Sequence, residues 1–166
     1  MAGCFITFEG TEGCGKSTHI KKLASRLKAE GRTVRTLREP GGTESGESIR
    51  HLLKHGPEEL TAEAELLLMN ASRAQLVREV IRPAIAAGEI VLCDRFYDST
   101  TVYQGTGRGL DAAQVQNVIE FAAGETRPDL TLLLQIPLKT SEERRARRAE
   151  TDRFEQADRA FFERIE

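Results

Sequence analysis

Apolar residues cluster in four short runs along the chain, and between the runs they recur at helical spacing. Cys4–Phe8, Thr33–Leu37, Ile90–Cys93 and Leu130–Ile136 read as strands. They are apolar in continuous runs rather than in alternation, as strands covered on both faces must be. Lys16 opens a helix to about Glu30, with Ile20, Leu23, Ala24 and Leu27 on its inner face and Gly31 at its end. Glu44–Leu53 reads as a short helix. A long one starts near Thr61, with Glu63 and Glu65 in its first turn. Its apolar series continues through Leu67, Leu68, Ala71, Leu76, Val80, Ile81 and Ile85, with Pro83 expected to bend or restart it and Gly88 to end it. Asp111–Ala123 is a helix capped by Asp111. Lys139–Arg153 is densely charged, and Gln156–Ile165 reads as a further helix.

Strands that alternate with helices predict an α/β fold: a parallel sheet with helices on both faces. Right-handed crossovers then gather the loops after successive strands at one sheet edge. Gly10–Gly15, Arg38–Thr43 and Asp94–Gly109 are expected to meet there, the last ending in a polar turn at Thr106–Gly109. No internal repeat or linker interrupts residues 1–166, so one domain is expected.

Composition narrows the function classes. A formal net charge of −2 offers no global attraction to nucleic acid or an anionic membrane. Hydrophobic residues at 39% and charged residues at 30% describe an ordinary soluble domain. Three dispersed cysteines form no disulfide framework, which fits a reducing compartment. Cys4 and Cys93 are expected to be buried, and Cys14 to be more exposed in its loop. No secretory leader or membrane-length apolar run is visible, so a cytoplasmic location is expected. His19, His51 and His55 form no metal or base constellation.

The chemistry begins at Gly10-Thr11-Glu12-Gly13-Cys14-Gly15-Lys16-Ser17, which satisfies G-x-x-x-x-G-K-[ST] between a buried strand and an amphipathic helix. Backbone amides of such a loop turn inward around phosphate oxygens, and the helix N-terminus favours negative charge. Gly10 to Thr18 is therefore the expected ATP-phosphate site, with Lys16 reaching the transferring phosphate and Ser17 offering a hydroxyl to Mg²⁺. Asp94, at the end of the Ile90–Cys93 strand, is the expected magnesium-side carboxylate, and with Lys16 it belongs to the catalytic set. The motif alone does not separate kinases from GTPases or motors, although no Asn-Lys-x-Asp sequence supports the GTPase reading. Arg95 directly after Asp94 favours a second phosphate substrate, because a guanidinium grips phosphate with a planar fork. A kinase acting on another nucleotide or nucleoside, and a nucleotide-binding protein without transfer activity, both remain open at this level.

Further segments carry a resemblance. Phe8-Glu9-Gly10 leads into the loop; Arg38-Glu39-Pro40-Gly41-Gly42-Thr43 follows the second strand; Tyr103-Gln104-Gly105 and Gly107-Arg108-Gly109-Leu110 follow Asp94-Arg95. With Pro128-Asp129-Leu130-Thr131 and Asp152-Arg153-Phe154-Glu155, this ordered set resembles the thymidylate kinase family over nearly the whole chain. The resemblance implies a P-loop nucleoside monophosphate kinase fold and phosphorylation of thymidine monophosphate by ATP with Mg²⁺. It implies that Arg50 and Arg95 hold the acceptor phosphate, that Arg73 bonds the thymine edge, and that Ser99 and Thr100 lie near the base. Tyr103 and Gln104 would line the sugar and base pocket, Glu12 would serve catalysis beside the acceptor sugar and phosphate, and Glu39 would stand on the acceptor and metal side.

Gly13 occupies a loop position where some family members carry arginine, so the sequence resembles the bacterial type with lid arginines. Residues 139–155 form the expected lid. Arg144, Arg145, Arg147, Arg148 and Arg153 are its candidates, with Arg148 and Arg153 favoured for catalysis. Two positions depart from the family pattern. Met69 stands where an aromatic ring often stacks on thymine, and Gln135 replaces an acid near the end of the fourth strand. The family also leads one to expect a final strand and helix beyond this sequence, and a homodimer; the long apolar helix near Leu67–Ile85 fits either its interface or the core of one monomer.

Overall fold

The structure is a computed structural model that describes residues 2–56 and 60–146, apart from the Arg145 side chain, together with Arg164. Its elements run β1 (Cys4–Glu9), α1 (Lys16–Ala29), β2 (Val34–Arg38), α2 (Glu44–His55), α3 (Ala62–Leu76), α4 (Arg82–Ala86), β3 (Ile90–Asp94), α5 (Tyr97–Thr100), α6 (Ala112–Ala123), β4 (Leu130–Leu133) and α7 (Leu138–Ala146). The strands form one parallel sheet in the order β2-β3-β1-β4. Phe5, Val91 and Cys93 point into one core with Leu76, Val77, Ile81 and Phe96. Phe8, Ile90 and Leu92 point into the other, against Ile20 and Ala24 of α1. Both faces are thus covered at the central strands β1 and β3, which are mostly buried. The edge strands β2 and β4 are largely exposed, against the expectation that all four are covered on both faces.

Side chains start the helices where the caps were expected. The Thr61 hydroxyl accepts from the Ala64 amide at 3.2 Å, and Asp111 Oδ1 from the Gln114 amide at 3.0 Å. Thr43 does the same for α2, accepting from Gly46 at 3.0 Å. α1 has no side-chain cap: it starts from Gly15 at φ 99°. Its first amides are left to the loop and to whatever anion the loop receives.

Several expectations are corrected. The long helix restarts at Pro83, one of the two outcomes expected, since Pro83 sits in the first turn of α4; what was not expected is the π-helical segment, Val77–Ile81, that joins α3 to α4. A proline within a helical run cannot donate to the preceding turn, and a widened turn accommodates the missing bond. The span 94–109 is not an open loop, because α5 leads into a π-helical segment, Thr101–Gly107. β4 stops at Leu133 rather than Ile136. Its partner β1 turns away at Gly10, which leaves Gln135 and Ile136 no strand to pair with. Cys14 is buried at 5% exposure rather than exposed, and Cys4 is only half-buried. The expected Gln156–Ile165 helix falls, except for Arg164, outside the described residues. Among the described residues no helix is long and apolar enough to cross a membrane.

Candidate functional site

The carboxyl ends of β1, β2 and β3 open into a cleft of about 480 Å³. Glu12, Gly13, Gly15, Lys16, Ser17 and Thr18 form its phosphate-loop wall. Gly10 and Thr11 hold that wall from behind, since Lys16 Nζ donates to their carbonyls at 2.8 and 3.0 Å. Gly10 cannot be replaced simply: at φ 132°, a Cβ there would meet the Leu134 carbonyl at 2.2 Å. The Lys16 ammonium lies 3.7 Å from Cys14 Sγ. Burial and the nearby Arg95 charge lower its pKa, against the pull of Cys14, Asp94 and Glu12.

Ser17 Oγ donates to Asp94 Oδ2 at 3.1 Å, so a hydroxyl and a carboxylate meet beside the loop. These hard oxygen donors fit magnesium, which takes one or two carboxylates and completes its shell from phosphate and water. Among the described residues no three His, Cys, Asp or Glu side chains form a group that could hold a metal ion by themselves.

The opposite wall is the expected acceptor side. Glu39, Arg50, Met69 and Arg73 line it from the turn after β2, from α2 and from α3. Arg95, Ser99, Thr100, Tyr103 and Gln104 line it from the helical segments after β3. Arg95 is the one non-glycine residue with positive φ among those described, at 72°. Its amide is anchored on the Phe8 carbonyl at 3.0 Å. This left-handed turn costs about 1–2 kcal/mol and is tolerated where surrounding contacts over-determine it. Here they do. Arg95 Nη2 donates to Glu12 Oε1 at 2.6 Å and to the Tyr103 hydroxyl at 3.3 Å, while Nη1 donates to Ser99 Oγ at 3.0 Å. Tyr103 in turn donates to Glu12 Oε2 at 2.8 Å. Burial opposes ionisation of Glu12, but Arg95, the Tyr103 hydroxyl and Lys16 outweigh it and lower the pKa. Burial also opposes the charge on Arg95, and the groups around it raise its pKa nonetheless.

Arg73, at 2% exposure, is tied to Glu39 Oε2 through Nε at 2.9 Å and Nη2 at 2.7 Å. Glu39 Oε1 is the single buried side-chain atom among the described residues with no hydrogen-bond partner, and its residue faces the cleft. Such an orphan in a binding cleft fits a ligand donor or a water. Arg50 spends Nη1 on the Pro40 carbonyl at 2.9 Å. Of the lid candidates, Arg144 reaches the cleft: Nη1 donates to the Gly13 carbonyl at 2.8 Å, and Ser141 Oγ to the Glu12 carbonyl at 2.7 Å. The Arg145 side chain, Arg147, Arg148 and Arg153 lie outside the described residues.

The fold agrees with comparisons with known proteins. The thymidylate kinase family model matches residues 8–166. The chain belongs to the thymidylate kinase family. It is 52% identical to a thymidylate kinase of Alcanivorax borkumensis, over 99% of this chain and 80% of that one. Identity to a thymidylate kinase of Pseudomonas savastanoi is likewise 52%, over 79% of its length. Among solved structures, a thymidylate kinase from Ehrlichia chaffeensis superposes with a TM-score of 0.78 at 36% identity, covering 87% of this chain and 82% of that one.

Sequence reasoning left several cleft residues without a role. Lys54 and Phe96 line it, and Arg38 does so while paired with Glu47 at 2.8 Å. The most informative omission is Glu9, which is buried at 5% exposure. Its Oε1 accepts from the Phe96 amide at 2.7 Å and its Oε2 from the Ser99 hydroxyl, so it supports the turn that carries Arg95. Burial pushes its pKa up to about 7, against the Ser99 hydrogen bond, the Arg95 charge and the Phe96 amide. A raised carboxylate pKa means that the native state holds the proton more tightly than the unfolded chain. Its stabilising contribution is therefore complete below the ordinary value of 4.5 and is lost as pH rises through about 7. The loss amounts to about 3 kcal/mol. Urea titrations across this window should show the parent losing stability relative to Glu9→Gln; parallel curves would mean that Glu9 titrates normally.

Proposed function

We propose that this cleft passes the γ-phosphoryl group of ATP directly to the phosphate of thymidylate, yielding ADP and thymidine diphosphate. The observation that carries this reading is that Arg95, bonded to Glu12 of the phosphate loop and to Tyr103, lines the same cleft as Lys16. An arginine that can grip a phosphate, on the same cleft as a triphosphate loop, supports a second phosphate substrate, which hydrolysis does not require.

The residues divide the work. Loop amides and Lys16 hold the donor phosphates and take up charge on the transferring group. Arg50 and Arg95 hold the acceptor phosphate in line, so attack occurs within one bound complex and needs no covalent enzyme intermediate. Glu12 orients Arg95 and Tyr103 at the acceptor sugar and phosphate. Arg73 and Gln104 meet the base edge, and Met69 packs on its face. Mg²⁺, held by Ser17 and Asp94 with the phosphates, supplies charge neutralisation when bound. Arginines of the lid, residues 139–155, complete the cationic shell. The bonds from Ser141 and Arg144 to the phosphate loop support a lid that rests on the loop it serves. Arg148 and Arg153 remain its proposed catalytic members.

The reading extends to a cytoplasmic homodimer. Leu67 on α3 at 58% exposure and Phe121 on α6 at 85% offer an apolar face for a second copy, and sedimentation at graded concentrations tests it. The decisive assay is a panel of thymidylate, deoxyuridylate, guanylate, cytidylate and thymidine, followed by ADP release. Thymidylate should be the preferred acceptor. Activity on thymidine alone would contradict the roles of Arg50 and Arg95, and ATP binding without transfer to any acceptor would refute a kinase.

A further inference from the structure

Gln104 is almost wholly buried, at 1% exposure, yet it lines the cleft. Its Nε2 donates to Glu65 Oε1 at 2.8 Å. Glu65, also 1% exposed, is held from its other side by Arg108, through Nη2 to Oε2 at 3.1 Å and Nε to Oε1 at 3.3 Å. A carboxylate paired in this way accepts hydrogen bonds and donates none. Turning the Gln104 amide over would set carbonyl oxygen against carboxylate oxygen in a buried site. The nitrogen end is therefore committed to Glu65. The Gln104 carbonyl oxygen has no hydrogen-bond partner among the described residues and is not among their buried orphans, so it opens to the cleft.

Arg73 presents the complementary half. Its Nε and Nη2 donate to Glu39, Nη2 also donates to Thr100 Oγ1 at 2.9 Å, and Nη1 donates to Asn70 Oδ1 at 2.8 Å. A guanidinium carries five N–H groups, so one Nη1 hydrogen remains. Thr100, which receives Arg73, lies one helical turn before Gln104. Arg73 and Gln104 both line the cleft, so a donor with one hydrogen to spare and an acceptor whose polarity is fixed from behind share its wall.

We infer that Glu65 is a specificity-determining residue: by locking the polarity of the Gln104 amide, it selects a pyrimidine with a carbonyl at position 4 and a hydrogen on N3, and rejects cytosine. Thymine and uracil offer an acceptor at O4 and a donor at N3, matching Arg73 and Gln104. Cytosine offers the reverse, a donor at N4 and an acceptor at N3. The inference rests on the reading of thymidylate as acceptor and adds to it a residue that never touches the base. A site built around such hydrogen bonds rejects the mismatched ligand strongly, because its own buried groups are left unpaired.

The test measures kcat/KM for thymidylate, deoxyuridylate and deoxycytidylate on this chain and on Glu65→Gln. Glutamine at 65 can donate to the Gln104 carbonyl and lets the amide turn. The preference for thymidylate over deoxycytidylate should fall about tenfold or more, deoxyuridylate should follow thymidylate, and the KM for ATP should stay unchanged. Glu65→Asp keeps an acceptor-only carboxylate and guards against a folding failure of the first variant; it should retain the preference within about threefold even if its rate drops. In a Glu65→Gln/Gln104→Leu cycle the two losses of discrimination should not add. A uniform loss on all three acceptors, an unchanged ratio in Glu65→Gln, or a collapsed ratio in Glu65→Asp would overturn the inference. Failure of the unaltered chain to phosphorylate thymidylate would instead remove the acceptor reading beneath it.

Discussion

Replacing Lys16 by alanine should lower phosphoryl transfer about a thousandfold while leaving the fold intact. The lysine is 7% exposed, and its ammonium is drawn onto the Gly10 and Thr11 carbonyls at 2.8 and 3.0 Å. Those carbonyls lie behind the phosphate-loop wall, while Lys16 itself lines the cleft, so the cation is held beside the space expected for the donor phosphates. Moving from loop carbonyls to phosphate oxygens exchanges neutral acceptors for charged ones, a stronger bond. Charge builds on the transferring group as the bond to ADP breaks, and removing one preorganised cationic donor from such a site costs about 3–4 kcal/mol. The fold should survive because the side chain closes a surface loop and does not fill either core. Initial-rate assays at saturating ATP and thymidylate, with thermal melting as the folding control, check this. Parent-like turnover by a folded variant would remove Lys16 from the mechanism.

Arg95→Ala should weaken thymidylate binding about a hundredfold and ATP binding much less. The guanidinium joins Glu12, Ser99 and Tyr103 in one network, with side-chain exposures of 17% for Arg95 and 14% for Glu12. Truncating one member of a desolvated, hydrogen-bonded charge pair costs about 2–5 kcal/mol, much of it from the carboxylate left behind. Glu12 would keep the Tyr103 hydroxyl and the Lys16 charge but lose its nearest cation. Arg95→Lys should not restore affinity, because an ammonium cannot reach Glu12, Ser99, Tyr103 and a phosphate with one planar fork. Calorimetry with each nucleotide separately reads the difference. Equal losses for ATP and thymidylate would refute an acceptor clamp and point to a collapsed cleft.

Both variants concern residues named from sequence, and they mark different depths of legibility. The phosphate loop was readable because its chemistry is local. Eight consecutive residues supply the turn glycines, the amides, the lysine and the hydroxyl, and the flanking apolar runs supply the strand and helix that present them. The central strands were readable for a similar reason, since β1 and β3 are mostly buried and therefore mostly apolar, while the edge strands β2 and β4 are largely exposed. The acceptor wall was named through resemblance, but its wiring was not readable. Glu12 and Arg95 are 83 positions apart, and Glu12 and Tyr103 are 91 apart. No local pattern relates them.

Glu9 and Glu65 show where one-dimensional reading stops. In the sequence each is an acid among many, one beside a glycine-rich loop and one in the first turn of a helix, where acids are common. Burial beside Phe96 and Ser99 turns Glu9 into a carboxyl with a raised pKa that supports the Arg95 turn. Burial between Gln104 and Arg108 turns Glu65 into a fixed acceptor. Cys14 illustrates the same limit, since a glycine-rich loop suggested exposure and packing beside Lys16 buried it. The sequence alone determined that a strand, a phosphate loop and a helix follow one another, because those forces act between neighbours. Only the tertiary structure decided which carboxylates are dry and what each must accept, because desolvation is a property of everything packed around a group rather than of the group itself.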